Sequence, residues 1–497
     1  MFEQQPDRAA SSWYRSPAIL LPVAVLAVAL IALAAYMFTQ RRDPGEDARY
    51  DALERHRAEQ QQQAAAQPGA PAEPSAAPAA DGQAPAASGE QTQAPGEQAA
   101  AGSPAASSSG GGARNYWTNF RGPARDGRYD ERTVKTAWPA SGLPLLWKQP
   151  IGGGFSSFSV ADGTAYTIEQ RRGQEVVAAY NAANGRELWT HKWDAEFRDS
   201  TGDGPRSTPT WDEGRVYALG ATGELRCLDA RTGRAIWGKN ILSDNGASNL
   251  RWGIAASPLV VDDKVIVIAG GADGKSVVAY NKLTGARAWG AMSDPGSYTS
   301  PMLVNLAGRR QVLVVTERNI AGIAPEDGAV LWTHPWRNDA GINISQPIVV
   351  GPNRLFLSAG YQKGASLLEV ANTGGRLVPR ALWENASMKN KFNSSVYHDG
   401  YVYGLDEGLL SCVEVATGER KWKARGYGYG QVVLASGHLI ITTDEGEIAL
   451  VRATPDAHAE VARFPALQGK TWNVPAIADG RLLVRNGTEM AAFKLTD

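Results

Sequence analysis

Residues 207–237 read STPTWDEGRVYALGATGELRCLDARTGRAIW, and this stretch decides the fold class. It contains four short runs in which apolar residues alternate with polar ones, the pattern of half-buried β-strands. Turn residues separate the runs, among them Asp212-Glu213-Gly214 and Arg231-Thr232-Gly233. Glycine there permits the positive φ angle that a tight turn needs. The stretch therefore predicts a unit of four short strands.

The same unit recurs along the whole chain after Arg114. Its first two strands are recognisable seven more times, as FSVADGTAYTIE from Phe158, SPLVVDDKVIVIAG from Ser257, SPMLVNLAGRRQVLVVTE from Ser300, SQPIVVGPNRLFLSAG from Ser345, NSSVYHDGYVYGLD from Asn393, GQVVLASGHLIITTD from Gly430 and NVPAIADGRLLVRNG from Asn473. Eight units of about 48 residues match the size of four-stranded propeller blades. The predicted fold class is all-β, an eight-bladed β-propeller.

The last strand of most units ends in Gly-x-x-x-Trp, and Phe464 replaces the tryptophan in the seventh unit. The eighth unit lacks a last strand, whereas LPLLWKQP precedes the first unit at residues 143–150. We expect this N-terminal strand to complete the last blade, because that pairing closes the ring and removes its open edges. The large flat rings are expected to dock each blade on the next. These blade-docking residues are Trp147, Trp189, Trp237, Trp289, Trp332, Trp383 and Trp422.

The chain before the repeats has a different composition. A short polar arm covers residues 1–16, and residues 17–39 contain an uncharged apolar run long enough to cross a bilayer as a helix. The alternative is a cleaved signal peptide, since Ala32-Leu33-Ala34 has the small-x-small form. The flanking arginines do not decide which side of the membrane the propeller faces.

Residues 40–113 are rich in Ala, Pro, Gln, Gly and Ser, which predicts a disordered linker. Within it, the charged stretch 49–63 favours a helical stalk. The remaining residues, 114–497, form the predicted propeller.

The blade motif, small-x-Asp/Asn-x-x-Thr-Gly-x-x-x-Trp, resembles that of the quinoprotein β-propeller family. That family includes pyrroloquinoline-quinone (PQQ) alcohol dehydrogenases and the outer-membrane assembly lipoprotein BamB. The opening NYWTNFRGPARDG at 115–127 and KNKFNSSVYHDGYVYGLDEG at 389–408 also resemble a bacterial subgroup of such propellers. The motif is specific for the fold and carries little information about function.

Composition excludes several classes of function. A formal charge of −1 gives no long-range attraction to nucleic acid. Six His and two Cys, widely scattered, do not form a structural zinc framework. No Cys-x-x-Cys-His string occurs, so the chain does not attach a c-type haem.

Cationic, aromatic and amide side chains gather in the segments that lead into the predicted inner strands. In a closed ring these segments meet at the axis and form a central funnel. Such groups suit a planar or anionic ligand, or a peptide segment. The alternative is that they only fill the channel. The candidates are Arg206, Arg251, Trp252, Tyr298, Asn343, Gln346, Lys389, Lys391, Asn393, Tyr427, Tyr429, Lys470, Trp472 and Asn473.

The quinoprotein resemblance implies a calcium-bound cofactor, a catalytic Asp and a disulfide between adjacent cysteines. The only cysteines here, Cys227 and Cys412, fall in blades on opposite sides of the ring, so no disulfide can join them. We predict two free, buried cysteines. The funnel carboxylates Asp199, Asp203, Asp244 and Asp294 suit turn and capping roles, and no catalytic or metal-binding residue is assigned.

The leading hypothesis is a non-catalytic, membrane-anchored scaffold. Its resemblance to BamB implies a location outside the cytoplasm and an envelope protein or peptide as partner, with a monomeric propeller. The alternative is a PQQ-dependent alcohol or sugar dehydrogenase that uses the funnel, with calcium. A ligand sensor is a third hypothesis, weakened by the short arm before the anchor.

Overall fold

The computed structural model describes residues 44–65 and 117–496. The chain divides into two compact units, residues 1–54 and residues 55–497. The predicted arm 1–16 and membrane segment 17–39 lie outside the described residues. Within the described ranges, no helix combines the length and apolar character needed to cross a bilayer.

Residues 145–496 form eight four-stranded antiparallel sheets, which confirms the eight-bladed propeller. Blades 1 to 4 comprise β3 Ser159–Ala161, β4 Thr164–Arg171, β5 Gln174–Asn181, β6 Glu187–Asp194; β7 Thr210–Asp212, β8 Arg215–Leu219, β9 Glu224–Asp229, β10 Ala235–Asn240; β11 Leu259–Val261, β12 Lys264–Ile268, β13 Val277–Asn281, β14 Arg287–Ala291; β15 Met302–Leu306, β16 Arg309–Val315, β17 Asn319–Ile323, β18 Val330–Pro335. Blades 5 to 8 comprise β19 Ile348–Gly351, β20 Arg354–Ala359, β21 Gly364–Thr373, β22 Arg376–Asn385; β23 Val396–His398, β24 Tyr401–Asp406, β25 Leu409–Glu414, β26 Arg420–Ala424; β27 Gln431–Ala435, β28 His438–Thr442, β29 Glu447–Arg452, β30 Glu460–Pro465; β31 Ala476–Ala478, β32 Arg481–Arg485, β33 Glu489–Lys494.

The eighth blade is completed by the N-terminal strand β2, Leu145–Pro150, as the missing last strand predicts. The sheet order is β2-β33-β32-β31, and Trp147 lies opposite Ala492. A short strand β1, Arg128–Tyr129, pairs in parallel with the inner strand β27 and widens blade 7 to five strands. Two strands from before the first blade thus pair with the last two blades of the ring.

The tryptophans dock neighbouring blades through one repeated contact. The indole nitrogen of Trp189 donates to the carbonyl of Ala230, 3.0 Å away in the next blade. A Cβ on Gly233 would stand 2.5 Å from the Trp189 ring, so this turn needs glycine for space as well as for its φ of +71°. Equivalent indole-to-carbonyl bonds join Trp147 to Ala182, Trp237 to Lys282, Trp289 to Pro325, Trp383 to Val415, and Trp422 to Thr454.

Trp332 departs from this pattern. Its indole donates to the side-chain oxygen of Gln311 in its own blade, at 2.6 Å. The outer hairpin of blade 5 has two ten-residue strands that turn at Gly374-Gly375, and a Cβ on either glycine would meet nothing within 4 Å. The long hairpin therefore carries its turn away from the Trp332 ring, and the indole bonds within its own blade instead.

In the described ranges, two helices accompany the strands. Helix α1, Pro44–Ala65, lies inside the segment 40–113 that the composition assigns to a disordered linker, and it includes the stretch 49–63 expected to form a stalk. Its sequence is dominated by Ala, Glu, Gln and Arg, which are strong helix formers, and its first turn carries Glu46 and Asp47, which favour the positive end of the helix dipole. Helix α2, Ile241–Asn245, is a single turn capped by Asn240.

Candidate functional site

A belt of hydrogen bonds around the axis fixes the start of the inner strands. The backbone N–H at each position donates to a side chain in the next blade: Ser157 to Thr208 at 3.0 Å, Thr208 to Ser257 at 2.9 Å, Ser257 to Ser300 at 2.8 Å, Ser300 to Gln346 at 2.9 Å, and Gln346 to Ser394 at 3.0 Å. These groups are all buried. The belt explains why a small hydroxyl residue recurs at the start of the repeat.

Residues 117–129 cross the axis against the inner strands. Arg125 donates to the carbonyls of Ser257 and Pro301 at 3.1 and 2.9 Å, and therefore bridges blades 3 and 4. On the other side, Arg121 donates to the carbonyls of Val432 and Ser395 at 3.2 and 2.9 Å. We call residues 117–129 the plug.

Arg121 and Arg125 of the plug are fully buried. Burial lowers the pKa of Arg125 to about 9 and that of Arg121 to about 10, with Asp126 partly opposing the second effect. Backbone carbonyls replace water around each guanidinium, which is the condition for burying such a group. The plug thus ties together blades that are distant in sequence.

Aromatic rings from the segments before the inner strands form one side of a site at the funnel. Phe155 stacks on Trp472 with ring centroids 5.7 Å apart, and Trp472 stacks on Phe392 at 5.0 Å. Phe392 then contacts Tyr429 at 5.3 Å. These residues come from blades 1, 8, 6 and 7, so ring closure alone brings them together.

Cations lie beside these rings and beside further rings of the funnel. The ammonium of Lys391 lies 5.4–5.5 Å from the ring centroids of Tyr361, Phe392 and Tyr429. Arg251 lies 5.2 Å from the ring of Trp252, which contacts Tyr298 at 5.6 Å.

Arg206 and Lys470 complete the arrangement. Arg206 lies 5.4 Å from the ring of Phe155 and 4.5 Å from that of Phe197, and Lys470 lies 4.4 Å from that of Trp472. We call the full set the collar: Phe155, Phe197, Arg206, Arg251, Trp252, Tyr298, Tyr361, Lys391, Phe392, Tyr429, Lys470 and Trp472.

The collar is cationic where it meets solvent. Burial lowers the pKa of Arg206 to about 10, against the opposing effect of Asp199 and Asp203. Arg251 is exposed, and neither Arg251 nor Lys391 has a carboxylate partner within the described part of the chain. Cations held over aromatic faces can pair with an anion while the rings stack on an apolar group.

Eight of the fourteen funnel candidates lie in the collar: Arg206, Arg251, Trp252, Tyr298, Lys391, Tyr429, Lys470 and Trp472. Four buried amides instead bond within the ring. Asn343 and Asn473 donate to backbone carbonyls, Gln346 belongs to the belt, and Asn393 accepts from Asn390.

The other two candidates are engaged elsewhere. Lys389 donates to Glu407 at 2.8 Å. The Tyr427 hydroxyl lies 2.7 Å from the His458 ring nitrogen and also contacts Glu460. Tyr427 is therefore part of the interior of blades 6 and 7.

The funnel candidates omit four collar rings, Phe155, Phe197, Tyr361 and Phe392, and the plug residues Arg121 and Arg125. A signal for some of the rings exists in the repeat. Phe155, Tyr298 and Phe392 each stand two residues before the belt residue of their blade, Ser157, Ser300 and Ser394 respectively.

The described residues do not fit a calcium-bound quinone site of the dehydrogenase type. No three His, Cys, Asp or Glu side chains of residues 44–65 and 117–496 are grouped as a metal site requires. Asp294 receives bonds from Thr316 and Asn319, both at 2.7 Å, which agrees with the turn role expected of it. Cys227 and Cys412 are free and buried, as predicted, and burial raises their pKa to about 11 and about 12.

Comparison with known proteins supports the fold and defines a family. The family model for outer membrane protein assembly factor BamB matches residues 172–424, about half the chain. Among curated relatives, BamB of Yersinia pestis is 22% identical over 59% of this chain and 75% of its own length. Quinohemoprotein alcohol dehydrogenase ADH-IIG of Pseudomonas putida is 32% identical, but the match spans 29% of this chain and only a fifth of the dehydrogenase.

Solved structures show the same fold. BamB from Moraxella catarrhalis superimposes with a TM-score of 0.52 at 17% identity, over 71% of this chain and all of its own. The quinohemoprotein alcohol dehydrogenase of Comamonas testosteroni gives a TM-score of 0.56 at 15% identity, over 77% and 81%. Together with the family model, these likenesses show that this chain belongs to the BamB family of PQQ-repeat β-propellers.

Proposed function

We propose that this protein is a non-catalytic scaffold outside the cytoplasm that binds an envelope protein through the collar. The observation that carries the proposal is the collar itself, in which the exposed Arg251 and the half-buried Lys391 lie over aromatic rings and have no carboxylate partner among the described residues. A partner segment that carries a carboxylate beside an aromatic or apolar side chain would supply both missing contacts. The likeness to BamB, an outer membrane protein assembly factor, supports a partner in the cell envelope.

Photo-crosslinking tests this proposal in the full chain. A photoreactive amino acid at Trp252 should capture a defined envelope protein, and the double change Arg251→Ala and Lys391→Ala should reduce that capture about tenfold or more. Arg376→Ala is the matched control, because Arg376 is an exposed cation on the outer hairpin of blade 5, away from the collar. Equal capture by the collar variant and the control would contradict the proposal.

A PQQ-dependent dehydrogenase is the second candidate, because stacked rings and cations also suit a planar polyanion. Against it stand the scattered carboxylates and the separated, inert cysteines. Calorimetric titration of the protein with PQQ, with and without calcium, separates the two candidates. Tight one-to-one binding that Arg251→Ala or Trp252→Ala abolishes would favour the dehydrogenase, whereas no binding by folded protein would remove it.

A further inference from the structure

Arg57 lies on the C-terminal half of helix α1 and is buried against the propeller. Its guanidinium is buried and donates to the carbonyl of Pro150 at 2.8 Å and to the hydroxyl of Tyr180 at 3.3 Å. It also lies 4.9 Å from the Tyr180 ring and 3.5 Å from the carboxylate of Glu187. One helix turn on, Gln60 donates to Gln149 at 3.1 Å.

These contacts fall on the place where the ring closes. Gln149 and Pro150 belong to β2, the N-terminal strand of blade 8, whereas Tyr180 and Glu187 belong to blade 1. Residues 55–63 therefore contact both blade 8 and blade 1. These two blades meet where the ring closes, and blade 8 is completed there by β2 and not by a strand that follows β33.

A buried network continues from Arg57 into the same junction. Glu187 also receives Arg171 at 2.6 Å, and Arg171 pairs with the buried Glu169 at 2.7 Å. Arg485 of blade 8 donates to Thr167 of blade 1 at 2.7 Å and adds a positive charge near Glu169. The helix thus joins an existing set of contacts between blades 8 and 1.

We propose that residues 55–63 form a strap that holds the closure junction between blades 8 and 1 shut.

Hydrogen exchange of the full chain tests the strap. In Arg57→Ala, amides of β2 and β33 should exchange roughly tenfold faster, because the strap no longer restrains the junction. Arg55→Ala is the matched control, since Arg55 is an exposed arginine on the same helix. The effects of Arg57→Ala and Glu187→Gln should also be non-additive. Equal exchange in Arg57→Ala and Arg55→Ala would overturn the strap.

Discussion

Glu169 is a buried carboxylate that several hydrogen-bond donors and two arginines stabilise in its ionised form. Its carboxylate accepts bonds from Arg171 at 2.7 Å, from the Tyr180 hydroxyl at 2.5 Å and from the backbone of Gly152. Burial by itself would raise the pKa of Glu169, but the attraction of Arg171 and Arg485 outweighs it and lowers the pKa to about 2. The residue therefore stays ionised between blades 8 and 1.

This pKa predicts an acid dependence of stability. Because the folded pKa lies below the ordinary 4.5, Glu169 stabilises the fold above about pH 4.5, and the contribution is lost as the pH falls towards 2. Glu169→Gln should cost about 3–5 kcal/mol at pH 7, since it removes the buried carboxylate that balances the charges of Arg171 and Arg485. At pH 3 that cost should be smaller by about 2 kcal/mol. Urea unfolding at the two pH values measures both.

Glu445→Gln is the control for this experiment, because Glu445 is exposed and its replacement should change the unfolding free energy by less than about 0.5 kcal/mol. A cost for Glu169→Gln that is the same at both pH values would show that its carboxylate does not titrate with the depressed pKa.

At the scale of the element, the turn before each outer strand couples neighbouring blades. Gly233 and Gly214 both have a positive φ, +71° and +75°, but only Gly233 lies against a tryptophan, Trp189. Gly214→Ala should cost about 1 kcal/mol for its backbone conformation alone. Gly233→Ala should cost a further 1–3 kcal/mol, roughly, because its Cβ would overpack the indole. Thermal unfolding of the pair measures the difference, and equal losses would refute the docking role of this turn.

The elements were predictable from sequence to a greater degree than the site. Strand alternation and turn glycines predict the blades because both depend on local backbone geometry. The collar depends on which side chains point towards the axis, and residues close in sequence differ in this respect. Tyr429 lies in the collar, whereas the Tyr427 side chain points into the blades and bonds to Glu460. The contacts of the plug were not predictable from the sequence. Arg121 and Arg125 donate to backbone carbonyls of several blades, and these carbonyls come together only in the closed ring.

At the scale of the whole molecule, the closed ring makes one junction different from the other seven. Seven blades are formed by continuous chain, whereas blade 8 depends on β2 pairing with β33 across the full length of the propeller sequence. Tryptophan docking, the Glu169 network and Arg57 all converge on this junction. The concentration of buried polar contacts there offsets the entropy of closing so long a loop.

Trp147 and Trp289 allow this asymmetry to be measured. Both are buried, and both donate an indole bond of 3.0 Å to the next blade, Trp147 to Ala182 and Trp289 to Pro325. Replacing either with Ala should cost about 3–5 kcal/mol, since each removes a buried aromatic ring. The consequences should spread differently, because Trp147 sits on the closing strand. Hydrogen exchange should accelerate through blades 8 and 1 in Trp147→Ala but stay within blades 3 and 4 in Trp289→Ala. If both changes loosen only their local pair of blades to the same extent, the closure strand is no weaker than a continuous blade.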